Sequence, residues 1–128
     1  MTREDIIQMA HRVIVCGGRN YNCTKTVYEV LDDLKISALA NGGASGADTL
    51  CSYYAKDRSI PCKVYPARWE LGKSAGPKRN AEMLNDFKPT LVVAFPGGRG
   101  TADMVRKAKS AGVEVMEITA IRARGESK

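Results

Sequence analysis

No stretch of the sequence approaches the ~20 consecutive apolar residues of a membrane-spanning helix. Its first residues, MTREDIIQMAHR, carry acids where a secretory signal would carry an apolar run. Membrane insertion is therefore not expected, and cytoplasmic residence is. His11 is the one histidine, and Cys16, Cys23, Cys51 and Cys62 form no C-x-x-C pair. That set has no zinc-site spacing, so neither a metal nor a cofactor is expected. Disulfide-stapled secreted domains are usually shorter and less periodic, so these thiols are expected to be reduced and mostly structural. Aromatic residues make up 6% of the chain, too few for an obvious base-stacking platform. The P-loop spacing GxxxxGK[ST] and the dinucleotide spacing G-x-G-x-x-G are both absent.

What is present is the composition of one globular domain, 128 residues long and 44% hydrophobic. Its net charge of +6 attracts anions without naming one. Short apolar runs alternate with helical periodicity. Strands are predicted at Arg12–Cys16, Ser37–Asn41, Cys62–Tyr65, Thr90–Phe95 and Val113–Ile118. Helices are predicted at Thr24–Ile36 with Thr24 as N-cap, Ala47–Arg58, Pro77–Asp86, and Thr101–Ala111 ending at Gly112. This alternation predicts an α/β Rossmann-like, three-layer domain with a mainly parallel sheet of about five strands. Its core would run from about residue 12 to 118, with a frayed tail, IRARGESK.

Right-handed crossovers would put every strand-to-helix loop along one sheet edge. Three of those loops are glycine-rich: Gly17-Gly18-Arg19-Asn20, Gly42-Gly43-Ala44-Ser45-Gly46-Ala47-Asp48, and Pro96-Gly97-Gly98-Arg99-Gly100-Thr101. Glycine permits tight turns and close ligand approach, and the helix that follows offers unpaired N–H groups to phosphate. Ser45 and Thr101 add hydroxyls, and Arg19 and Arg99 add charge. Each loop is also the composition of an ordinary tight turn; their convergence on one edge is what points to a binding site.

Taken in order, VCGGRNY, GGASGAD, YPARWELGKSAGPKRNAEML and VVAFPGGRGTADMV resemble the SLOG superfamily, in the branch related to YspA and YpsA. The resemblance spans roughly Arg12 to Ile118. It implies a Rossmann-like fold that binds nucleotides, nucleotide-derived signals or, in DprA relatives, single-stranded DNA. It also implies a homodimer or larger assembly, to which the helix carrying Ala81, Met83 and Leu84 would contribute. Enzymatic relatives, the LOG-type phosphoribohydrolases, carry PGGxGTxxE with a catalytic glutamate and an arginine from another helix. Met104 stands at that glutamate position here, and a thioether transfers no proton. Asp103, one residue earlier, is turned by ~100° on a helix and reads as complementing the helix dipole.

The resulting ligand-binding set is Gly17, Gly18, Arg19, Asn20, Gly43, Ser45, Gly46, Asp48, Arg79, Asn80, Pro96, Gly97, Gly98, Arg99, Gly100 and Thr101. Arg79 matches the family's functional arginine; Asn80 suits a base or ribose hydroxyl. Asp48 suits the sugar or base end of a ligand, because a carboxylate repels phosphate. Arg79 and Glu82 are the weak catalytic candidates, with Glu82 one helical turn after Arg79. Trp69 offers a ring to a base or packs on its own loop. Lys73 and Lys78 offer charge, while Tyr53, Tyr54 and Met83 read as core or interface. The leading expectation is a sensor or scavenger of a nucleotide, ADP-ribose or a related ligand. The alternatives are a LOG-like nucleotide N-glycosidase or hydrolase, and DprA-like binding of single-stranded nucleic acid.

Overall fold

The structure is a computed structural model that describes Thr2 and residues 10–119; the tail predicted to fray lies outside the described residues. The chain runs β1 (Ala10–Cys16), α1 (Thr24–Asp32), β2 (Lys35–Asn41), α2 (Ala47–Asp57), β3 (Cys62–Val64), a 3-10 turn (Trp69–Leu71), α3 (Ala75–Phe87), β4 (Leu91–Ala94), α4 (Arg99–Ser110) and β5 (Glu114–Glu117). The strands lie in the order β3-β2-β1-β4-β5, and every neighbouring pair is parallel. This is the α/β Rossmann-like fold that the alternation predicts.

Successive strand residues face opposite sides of the sheet, and this parity divides the core in two. Val13, Val15, Leu39, Leu91 and Val93 pack against α1 and α2 through Val27, Val30, Leu31, Ala47, Cys51, Tyr54 and Ala55. Ile14, Ala40 and Val92 face the other way, onto Met83 and Phe87 of α3 and Met104 and Ala108 of α4. The sheet is covered on both faces, which is why its strands read as continuous apolar runs.

Helix α1 stops four residues short of the predicted Ile36. Leu34 keeps the apolar spacing and is buried, yet its N–H closes a turn onto the Leu31 carbonyl at 3.1 Å. Lys35 and Ile36 then pair with Ala10 and His11 in the sheet. Helical periodicity therefore outruns the helix, because a turn residue can fill the same core site. Thr24 is the first helical residue, not the cap; Cys23 precedes it with no side-chain capping bond. Both α3 and α4 begin two residues earlier than predicted, which makes Arg99 and Gly100 helical.

Candidate functional site

Leaving β1, the chain builds outward through β2 and β3, then crosses to the other side of β1 for β4. The loops after β1 and β4 consequently diverge at the carboxyl edge, where open α/β sheets bind ligands. A cleft of about 790 Å³ opens there, within the range of small-molecule sites.

Close packing of the three loops explains several of their glycines. A Cβ on Gly17 would lie 2.6 Å from that of Ala47, and one on Gly18 would lie 3.0 Å from the Pro96 carbonyl oxygen. The Gly18 N–H donates to that same oxygen at 2.8 Å. A side chain on Gly46 would run into the Gly18 carbonyl, and one on Gly97 into the Thr101 hydroxyl. Gly98 and Gly100 differ: each lines the cleft, neither has a positive φ, and an added Cβ on either meets nothing within 4 Å.

The helices that follow the second and third glycine-rich loops, α2 and α4, both start at this edge and differ in what meets their first turns. At α2 the Ala47 N–H donates to the Gly18 carbonyl at 3.2 Å, and Asp48 supplies a carboxylate in the first turn. At α4 the capping residue is Gly98, with no side-chain cap and no acid in the first turn. Arg99, exposed at the first position, sets a cation where the helix dipole disfavours one. An anion would relieve both deficits.

The polar wall of the cleft is a connected network. Arg79 donates from Nη1 to the carbonyls of Gly42 (2.5 Å) and Tyr65 (3.2 Å), and from Nε to Asn80 Oδ1 (2.9 Å). The Asn80 amide donates to the Gly100 carbonyl (3.2 Å) and to Asp103 Oδ2 (3.0 Å), tying α3 to α4. Asp103 also accepts from Lys107 Nζ at 2.6 Å. Burial pushes the Asp103 carboxyl up, but the Lys107 and Asn80 hydrogen bonds and nearby cations outweigh it and hold the pKa low. Asp48 is buried and accepts from the Ala44 N–H at 3.2 Å. Burial raises its pKa to about 6, against the opposing pull of that bond and of Arg79.

Of the expected binding set, Gly17, Gly18, Arg19, Asn20, Asp48, Arg79, Asn80, Pro96, Gly97, Gly98, Arg99, Gly100 and Thr101 line the cleft together. Gly43, Ser45 and Gly46 do not. Gly43, at φ +72°, packs against Val64, and Ser45 donates to the Arg19 carbonyl at 3.0 Å. These three shape and join the loops, while Gly42 and Ala44 face the cleft instead. Glu82 is exposed and away from the lining, so the structure does not bring it together with the site. Met104 is fully buried in the core, and its neighbour Asp103 reaches the cleft instead. Trp69, Lys73 and Tyr21 also line it, whereas Lys78 does not. Tyr54 and Met83 are core, and Tyr53 is exposed.

The four cysteines are free. Cys16 lines the cleft, but burial and the Asp48 charge push its thiol up to about 12, which leaves it un-ionised. Among the described residues no group of three or more His, Cys, Asp or Glu is arranged to hold a metal ion. No helix among them is long and apolar enough to cross a membrane.

No curated protein matches the chain. Among solved structures, the fold is similar to phosphoribosylglycinamide formyltransferase (purN) from Coxiella burnetii, solved in complex with CHES, at 16% identity and a TM-score of 0.43. That match covers 71% of this chain and 43% of the other, so the chain spans less than half the length of that protein. Residues 11–72, the stretch from β1 to the turn after β3, match the model of the YspA, cpYpsA-related SLOG family.

Proposed function

We propose that the cleft binds a nucleotide or nucleotide-derived ligand, such as a nucleoside phosphate or ADP-ribose, and that the chain serves as its sensor or scavenger. The observation that carries this reading is the start of α4. It has no cap, no first-turn acid and an exposed Arg99, and it is flanked by two glycines that neither packing nor backbone conformation requires. Phosphate placed there meets free N–H groups and the positive end of the dipole. The sugar or base end then lies toward Asp48, away from the anionic end. Arg79 supports this arrangement as a brace: its guanidinium holds the loop after β2 through backbone carbonyls. The SLOG match supports the class of ligand. Calorimetry against nucleoside mono- and diphosphates, ADP-ribose and NAD should show saturable binding. Absence of heat at millimolar ligand overturns the reading.

A second reading, hydrolysis of the LOG type, draws on one observation. Asp48, a cleft carboxyl with a pKa near 6, is suited to proton transfer near neutral pH. Chromatography of nucleoside monophosphates after incubation should reveal free base, and Asp48→Asn should abolish it. An inert wild type leaves binding alone.

A further inference from the structure

Trp69 is the chain's one tryptophan, and it lines the cleft while 57% exposed. Tryptophan is highly buried on average, so an indole held half in solvent at a cleft mouth calls for a reason. Its seat is built. The six-membered edge of the ring leans on Gly76 in the first turn of α3, where a Cβ would come within 2.9 Å of Cη2. Gly76 has no positive φ, and glycine inside a helix costs about 1 kcal/mol relative to alanine. A Cβ at this position would have to push the ring off its seat. The turn carrying the indole is tied down by N–H bonds from Leu71 to the Arg68 carbonyl (2.9 Å), Gly72 to Trp69 (3.0 Å) and Ala75 to Gly72 (3.1 Å). Tyr21, the other aromatic residue in the lining, is already stacked on Phe95. Among the described residues no ring or cation is stacked on Trp69.

We propose that Trp69 is the stacking platform for a planar nucleobase, so that the cleft selects base-bearing phosphates over bare sugar phosphates. This rests on the nucleotide reading of the same cleft and adds the base to it. A π-face accepts any base, so selectivity among bases comes from elsewhere in the cleft, whereas loss of the base removes the contact entirely.

The lone tryptophan reports its own environment. Adenosine and guanosine 5′-monophosphate should change its emission on titration, with the affinity found by calorimetry, and ribose 5-phosphate should bind at least tenfold more weakly with little change. Trp69→Ala should weaken the mononucleotides about tenfold or more and leave ribose 5-phosphate affinity unchanged. Trp69→Phe should restore most of the loss. Circular dichroism checks that each variant is folded, which the exposure of the site leads one to expect. Equal affinities for the nucleotides and ribose 5-phosphate, with Trp69→Ala indifferent to both, overturn the platform and leave the phosphate site standing. No binding of any of the three overturns both.

Discussion

Burial of the Asp48 carboxyl beneath the second glycine loop raises its pKa from the ordinary 3.8 to about 6, and the sign of that shift fixes a pH dependence of stability. Between these values the unfolded chain has released the proton while the folded chain still holds it. Stability therefore falls as pH rises from about 4 through 6, and the slope from this group vanishes above the folded pKa. The loss is on the order of 3 kcal/mol if the whole shift is expressed. Asp48→Asn keeps an oxygen for the Ala44 N–H and carries no charge, so it should flatten the dependence and be more stable than wild type above pH 7. Urea midpoints at pH 4.5 and 7.5 for both proteins decide it: parallel profiles would show that Asp48 is not the group responsible.

The start of α4 is where element-scale stability and binding pull apart. Gly100 lies in the first turn, its added Cβ meets no neighbour within 4 Å, and glycine is the poorest helix former after proline. Gly100→Ala should raise stability by up to about 1 kcal/mol and at the same time weaken nucleotide binding, because the new methyl occupies ligand space. Thermal unfolding and calorimetry on one preparation test both signs; a variant that is more stable with unchanged affinity would move the phosphate off this helix. At this scale the sequence was informative about element identity and order, since strand parity and helical spacing follow directly from which residues must be buried. It was less informative about facing. On α3 the inward stripe is Gly76, Asn80 and Met83, at helical spacing, and Glu82 falls off it although it is one turn from Arg79. On α4 the buried pair Met104 and Ala108 faces the sheet, which turns Asp103 to the cleft. A motif gives a residue's position in a family pattern, but the rotation of the helix against the sheet sets which side chain the ligand meets. The glycines show the same limit: at Gly17, Gly18 and Gly46 an added Cβ would meet another of the three loops, a long-range fact no local spacing encodes.

For the whole molecule, the +6 net charge admits both a small phosphate ligand and a nucleic-acid strand, and the response to salt separates them. The cleft is compact, and two of its lining residues are carboxylates, Asp48 and Asp103. Arg19, Lys73, Arg79 and Arg99 line it as well, and Asp103 is paired with Arg106 and Lys107, so the lining charge alone attracts either ligand; a mononucleotide can keep its phosphate at α4 and its sugar near Asp48. A ligand with about two phosphate charges should lose less than about tenfold in affinity between 50 and 200 mM salt, whereas a strand making six to ten phosphate contacts would lose about a thousandfold or more. Adenosine 5′-monophosphate is accordingly expected to show a shallow slope by calorimetry, and a single-stranded oligonucleotide no mobility shift at 50 mM salt. A retarded oligonucleotide with a steep slope would instead assign the basic surface to nucleic acid and reduce the cleft to a contact for one terminal nucleotide.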